Sequence, residues 1–338
     1  MPWESKSSSR VSTVDCTTPG DSMTGFETAM NEITLVLFTT LAPSGVVAYC
    51  LMAAVLLRSD GQRAKRLGAM LLMPFLVCLA GLVASATHLG NPDNALYVFA
   101  GIGRSPLSTE VAAAVVFLGA AGLQWLYQFA EHARSWLQKA LLVVAVVAGA
   151  GFLAAVAMAY SSRTVVTWCT PLVPMALVLN ALVGGPLLAQ VGFACAKVRL
   201  GRSALALPIA SSGALAANVV IYIAQARESE GLANGVVSVA QLAPGYEAAI
   251  WVFAALCLSG IVLDAVVVLR ALRSCPTQDR SREGEAASCA LPLDDASEPG
   301  ISRRALAGTV TATLLVLAGI FTMRFMFYMT HMTVGISL

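Results

Sequence analysis

Eight apolar runs, most of them longer than 20 residues, constrain the fold of this 338-residue chain more than any other feature. A helical run of about 20 residues crosses the hydrocarbon core of a bilayer. Since lipid offers no water to the backbone, only helices or a closed barrel can span it. The runs are continuously apolar and do not alternate, which favours helices. The predicted fold class is all-α, a polytopic membrane protein whose bundle of eight transmembrane helices lies at residues 31–57, 67–88, 108–130, 139–161, 172–196, 204–226, 246–270 and 305–331.

The composition agrees with a membrane protein and excludes an ordinary soluble domain. Only 12% of the residues are charged and 57% are apolar, whereas soluble domains carry about 25% charged residues. Membrane lipid is therefore the expected surrounding of most side chains. The net charge of +2 gives no indication of a nucleic-acid partner.

Two polar segments lie outside the predicted spans. Residues 1–28 are rich in Ser, Thr, Asp and Glu, which predicts a disordered N-terminal tail. They lack the basic start and short apolar core of a signal peptide. Residues 29–338 form the predicted eight-helix domain, in which a polar segment at about 272–302 is expected to be a flexible loop.

The distribution of cations predicts how the helices are oriented. The odd-numbered loops carry 15 Lys and Arg residues, whereas the even-numbered loops carry only three. Cytoplasmic loops are enriched in Lys and Arg. We therefore expect the odd loops in the cytoplasm and both termini outside, which places the flexible loop in the cytoplasm.

A histidine and a glutamate flank the connector between the second and third spans. His88 ends the second span, and Glu110 follows Ser108, a predicted helix N-cap that would place Glu110 in the first turn. Each residue alone can be explained as a polar group that stabilises the end of its helix. Together they suit the removal of two protons from a hydroquinone, because an imidazole titrates near neutral pH and burial raises the pKa of a carboxyl group toward it.

The last span carries a second polar group. Arg324, Tyr328 and His331 are spaced at i, i+4 and i+7 and fall on one helix face. An arginine at this depth either faces the bundle interior or extends to the lipid headgroups. Tyr97 and Trp168, with Tyr328, are candidates for an aromatic wall, although anchoring at the membrane interface is the commoner role of such residues.

Several other features have plainer interpretations. Pro43 predicts a kink in the first span. Gly184-Gly185-Pro186 indicates either a kink or a close helix contact in the fifth span. Asp264 is expected at the cytoplasmic interface. The cysteines form no CxxC cluster, and only two of the three histidines, His88 and His331, share a side of the membrane. No metal site or haem is therefore predicted.

Four blocks in sequence order resemble the membrane anchor subunit of dimethyl sulfoxide reductase, the DmsC family. They are His88-Leu89-Gly90-Asn91-Pro92, Ser108-Thr109-Glu110, Gly184-Gly185-Pro186-Leu187-Leu188 and His331-Met332-Thr333-Val334-Gly335. The resemblance extends from the first span to the C-terminus. It implies a multi-pass anchor in the bacterial inner membrane that carries no haem or iron–sulfur cluster of its own.

The resemblance also implies partners and a reaction. The anchor would bind a molybdopterin catalytic subunit and an iron–sulfur electron-transfer subunit, and would oxidise menaquinol in anaerobic respiration. The quinol-site histidine and glutamate of the family fall on His88 and Glu110. We expect these two residues to accept the protons, with Arg324, Tyr328 and His331 completing the quinol site.

Three alternatives remain open from the sequence. A polysulfide-reductase-type anchor would also react with quinone but would serve a different terminal acceptor. A secondary transporter usually has inverted repeats and paired broken helices at mid-membrane, and the Gly-Gly-Pro break has no clear counterpart here. A purely structural anchor would hold the partner subunits without contacting quinol.

Overall fold

The computed structural model describes residues 24–87, 92–161, 164–233, 237–273 and 303–332, with only the backbone of residues 92–96. Short 3-10 helices cover Pro92–Gly101, Val166–Trp168 and Gly201–Leu205. The α-helices are α1 (Gly25–Asn31), α2 (Ile33–Leu56), α3 (Gly61–Met70), α4 (Leu72–Ala86), α5 (Pro106–Tyr127), α6 (Ser135–Ala159), α7 (Leu172–Cys195), α8 (Ala206–Ser229), α9 (Val239–Leu242), α10 (Tyr246–Arg273) and α11 (Arg303–Met329).

The predicted all-α membrane fold is confirmed. Within the described ranges, eight helical segments are long and apolar enough to cross a membrane. The second consists of α3 and α4, which meet at Leu71. Helix α1 begins at Gly25, inside the predicted N-terminal tail, and Thr24 and Glu27 form its capping box. The rest of that tail, and residues 274–302 of the predicted loop, lie outside the described residues.

The bundle consists of two four-helix units that meet along α2 and α7. In the first unit, α2 packs on α4 and α6, and α5 packs on α4 and α6. In the second unit, α7 packs on α8 and α11, and α10 packs on the same two helices. Helices α2 and α7 are the most buried, with 72% and 67% of their most apolar windows inside the protein. They therefore form the centre of the bundle.

Small residues in α7 allow the two central helices to approach closely. A Cβ on Gly184 would lie 2.7 Å from Ser44 Oγ and 3.0 Å from Ile320 Cδ1, and a Cβ on Gly185 would overlap Val47. Helix α7 continues through Pro186 without interruption. The Gly-Gly-Pro sequence therefore marks a close contact of α7 with α2 and α11, as small residues do in membrane helix pairs.

The core of the first unit is aromatic. Phe117 and Phe152 stack with their ring centroids 6.0 Å apart, and Tyr49 meets Phe117 edge to face at 5.6 Å. The Tyr49 hydroxyl donates a hydrogen bond of 3.1 Å to Gln124 Oε1. This pairing supplies the partner that a buried hydroxyl needs in a medium without water.

The second unit contains a buried amide network. Asn218 Nδ2 donates to Asn180 Oδ1 at 2.8 Å, and Asn180 Nδ2 donates to the Tyr222 hydroxyl at 2.7 Å. The network joins α7 to α8 in the same interior where Tyr222 meets Phe253 edge to face. Polar side chains of this kind link helices in lipid, where dispersion alone gives little specificity.

Candidate functional site

Glu110 lies one turn deeper in α5 than the sequence suggested. Ser105 is the N-cap, its Oγ accepting from the Ser108 backbone N–H at 3.5 Å, and Pro106 occupies the first helical position. The prediction that Ser108 caps the helix was therefore wrong. Ser105-Pro106 is the start signal, because proline suits the first helical position, where no N–H partner is needed. Glu110 consequently lies in the second turn.

The Glu110 side chain is buried, with only 4% of its surface exposed. Its Oε2 has no hydrogen-bond partner among the described residues. The charge of Arg324 acts on this carboxyl group. The carboxyl group in turn interacts electrostatically with the hydroxyls of Tyr160 and Tyr328. A buried carboxyl oxygen without a partner is costly to maintain, and this one is available to accept a hydrogen bond from a bound water or ligand beside Arg324.

Arg324 faces the interior of the bundle. It is 2% exposed, and its Nε donates a hydrogen bond of 2.9 Å to Thr39 Oγ1 on α2. The guanidinium carbon lies 4.2 Å from the centroid of the Phe327 ring and 5.3 Å from that of Tyr160. Of the two arrangements that the sequence allowed, the structure has the interior one. Its Nη2 finds no hydrogen-bond partner in the described part of the chain.

The rings of Tyr160, Phe327 and Tyr328 lie within 5.6 Å of the guanidinium carbon. Trp168, in the connector before α7, stacks on Phe327 with centroids 4.4 Å apart and planes inclined by 19°. It also meets Tyr328 at 5.7 Å and Tyr160 at 6.2 Å. Trp168 and Tyr328 thus belong to one wall, as the sequence analysis proposed. Tyr97, the third candidate, is 74% exposed and takes no part in it.

His331 lies at the rim of this cluster. It follows α11, which ends at Met329, and its ring centroid is 5.0 Å from that of Trp168. Partial burial lowers the pKa of the His331 imidazole, and the nearby carboxyl of Glu32 acts in the opposite direction. His88, the other predicted proton acceptor, lies outside the described residues. Its place beside Glu110 therefore stays a prediction.

All the described members of the site lie at one end of the bundle. We call this the upper end, defined as the end at which α2 begins and α11 ends. Helix α5 also begins there and α6 ends there, since successive spans run in opposite directions. Sequence reasoning singled out three buried groups at this end, Glu110, Arg324 and Tyr328, and the half-buried Trp168.

Sequence reasoning missed three contributors to the site, which are Thr39, Tyr160 and Phe327. Thr39 precedes Pro43 by four residues, and a proline removes the helical partner of the carbonyl one turn earlier. This interrupted hydrogen bond indicated that α2 makes a polar contact near Thr39. Tyr160 and Phe327 carried no such signal, because an aromatic residue near a helix end is most often an interface anchor.

Asp264 corrects a further prediction. It was expected at the membrane interface, yet its side chain is fully buried. Neither of its oxygens has a hydrogen-bond partner within the described residues. The reason is its position on the buried stripe of α10, one turn after Gly260 and one turn before Val268. The position of Asp264 around the helix axis predicts its burial better than its distance from the end of the span does.

This arrangement combines three chemical capacities. Glu110 can accept a proton, Arg324 can stabilise negative charge on a bound oxygen, and the Trp168 wall can pack against a planar ring. In apolar surroundings both charged groups act more strongly than in water. The site is therefore suited to an aromatic molecule with ionisable hydroxyl groups.

Comparisons with known proteins identify the family of the chain. Residues 26–280 match the family described as DMSO reductase anchor subunit (DmsC). The anaerobic dimethyl sulfoxide reductase protein YnfH of Escherichia coli (strain K12) is 27% identical over 316 residues, 91% of this chain and 98% of that protein. A subunit of the anaerobic dimethyl sulfoxide reductase of Haemophilus influenzae (strain ATCC 51907 / DSM 11121 / KW20 / Rd) is 29% identical over 237 residues, 70% of this chain and 84% of that protein. With its eight spans and a family match over most of its length, the chain belongs to the DmsC family of DMSO reductase anchor subunits.

Proposed function

We propose that this chain binds menaquinol at the upper end of the bundle and oxidises it there. The observation that carries the proposal is the pair of unpartnered buried atoms, Glu110 Oε2 and Arg324 Nη2. A quinol supplies what both lack, since its hydroxyl can donate to a carboxylate and its oxygen can accept from a guanidinium. Its flat ring suits the wall formed by Trp168 and Phe327.

The reaction removes two protons and two electrons from menaquinol and leaves menaquinone. Glu110 takes the proton from one hydroxyl group, and Arg324 stabilises the charge that builds up on the quinol oxygen as the O–H bond breaks. His88 is the proposed acceptor of the second proton. Both protons are then released at the upper end, so that Glu110 is again ready for the next quinol.

The electrons pass to a partner protein. Anchor subunits of DMSO reductase act together with a catalytic subunit and an electron-transfer subunit, as the family implies. We propose that an iron–sulfur subunit docks at the upper end, because the shortest electron route from the Arg324 region leads there. The molybdopterin catalytic subunit lies beyond it. The cation bias of the loops supports an upper end that lies outside the cytoplasm.

Substitution Glu110→Gln tests the proposal. The amide fills the same space but cannot take a proton, so quinol-driven reduction by the whole complex should fall by about 100-fold or more. Reduction driven by a soluble dye, which delivers electrons to the partner subunits directly, should be unchanged.

Asp264→Asn provides the matched control. It removes the other fully buried carboxyl group of the described spans, in α10, and should leave quinol-driven turnover intact. If the Glu110→Gln complex still oxidises menaquinol at the normal rate, the site assignment is wrong. A purely structural role of the anchor would then explain the data better.

A further inference from the structure

A groove opens on the outer surface of the bundle between α6, α7 and α8. Its volume is about 770 Å³, within the range of roughly 300–1,000 Å³ typical of ligand pockets. Every residue that lines it is apolar. The walls include Ala154, Met158, Met175, Val178, Ala217 and Ile221. An open groove of this volume without a polar residue in its lining is suited to a hydrocarbon chain.

Along α6, the groove ends one turn before a residue of the candidate site. Ala157 lines it and is almost fully buried in the last turn of α6. Tyr160 follows three residues later, and its ring lies beside the Arg324 guanidinium. On the opposite side, the groove is lined by the first turns of α7, which follow the connector that carries Trp168. The groove and the ring cluster thus share the same helix ends.

Small side chains keep the groove open. Ala154 on α6 and Ala217 on α8 are exposed and stand on opposite walls. Larger residues at these two positions would fill the space between the helices. The neighbouring Met158 and Val220 are 60% and 65% exposed and add larger side chains to the same lining.

We infer that this groove holds the isoprenoid chain of the quinol whose head occupies the Glu110–Arg324 site. The inference rests on the proposed function. Arg324, Tyr160 and Tyr328 are buried, and a substrate dissolved in the bilayer approaches them from the side of the bundle. Its chain then lies at the depth of the first turns of α7, where the groove is. A phospholipid chain has the same chemistry, but only a quinol links the groove to the ring cluster.

The test places a large side chain in the groove and leaves the residues of the Glu110–Arg324 site unchanged. Ala154→Trp and Ala217→Trp are introduced into the complete complex in lipid bilayers. Ala216→Trp is the matched control, because Ala216 is exposed on the same helix but does not line the groove. Each complex is assayed with a menaquinol that carries a polyisoprenoid chain and with 2,3-dimethyl-1,4-naphthoquinol, which carries none.

The groove variants should lower kcat/KM for the long-chain quinol by roughly tenfold, because the chain loses much of its apolar contact. They should leave the rate with the chainless quinol unchanged, and Ala216→Trp should alter neither rate. Equal losses with both quinols, or no loss with either, overturn the inference. If Glu110→Gln abolishes oxidation of both quinols while the groove variants alter neither rate, the proposed function stands and the groove inference alone fails.

Photolabelling distinguishes the quinol chain from a phospholipid chain. A menaquinone with a diazirine at the end of its chain should label the segments of α6 and α7 that contain Met158 and Met175. Unlabelled menaquinone should suppress this labelling. Labelling confined to other helices overturns the inference, as does equal labelling by a diazirine phospholipid that menaquinone does not displace.

Discussion

Arg324 Nε donates a hydrogen bond of 2.9 Å to Thr39 Oγ1 and so joins the last membrane helix to the first. The Thr39 hydroxyl uses its own proton on the Leu35 carbonyl, at 2.8 Å. Its oxygen is therefore free to accept from the guanidinium. This acceptor holds the guanidinium against α2, within electrostatic range of Glu110.

Thr39→Val should destabilise the protein. Valine keeps the shape of threonine but leaves Nε without its partner, which costs at least about 1–3 kcal/mol because the donor is buried and charged. Thr39→Ser retains the hydroxyl and is the control. Thermal unfolding of the two variants in the same detergent measures the difference. Equal melting temperatures would show that this hydrogen bond contributes little.

Arg324→Lys and Arg324→Met separate the charge of the arginine from its shape. Methionine removes the charge, and we expect quinol-driven turnover to fall by about 100-fold, as when a preorganised donor is removed. Lysine keeps the charge but loses the planar face that lies over Phe327. Its rate should fall between those of the methionine variant and the native complex. The comparison is made on quinol-driven and dye-driven rates, and equal losses in both assays would contradict a role at the quinol.

The sequence predicted the membrane helices better than it predicted the side-chain contacts between them. Long apolar runs leave a backbone in lipid no choice but the helix, so all eight spans were predictable. The interior position of Arg324 was favoured because a charge in lipid is costly. Its partner Thr39 was harder to identify, because a threonine in an apolar run carries no such penalty once its hydroxyl bonds its own helix, and only the nearby Pro43 indicated a break there.

The errors have a common physical cause. The exposure of Asp264 was predicted from its distance to the end of the span, whereas its position around the helix axis determines it. The start of α5 was also predicted from the end of the apolar run, whereas the Ser105-Pro106 sequence determines it. Which side of a helix is buried depends on how the neighbouring helices pack against it. Tyr160 belongs to the site for the same reason, since the ends of α6 and α11 meet only in the assembled bundle.

Gly185→Ala tests the close contact between the two central helices. The added methyl group would overlap Val47, and an overpacked core costs about 1–3 kcal/mol. Gly151→Ala is the control, since a Cβ there meets nothing within 4 Å. Alanine at that helical position should be neutral or stabilising by about 0.5–1 kcal/mol. Both effects are read from melting temperatures, and a Gly185→Ala protein as stable as the native one would mean that α2 and α7 can separate without cost.

The stability of the upper end should depend on pH through His331. Partial burial against Trp168 lowers the pKa of this imidazole from its ordinary value of 6.5, so the folded protein binds the proton less readily than the unfolded chain. The folded state is then fully favoured above pH 6.5 and loses stability as the pH falls through the lowered pKa.

His331→Gln removes this dependence, so the melting temperature of the variant should rise relative to that of the native protein as the pH is lowered. His132→Gln, on an exposed loop at the opposite end of the bundle, is the control. Parallel pH profiles for the native and His331→Gln proteins would show that the imidazole is not held in its neutral form by the fold.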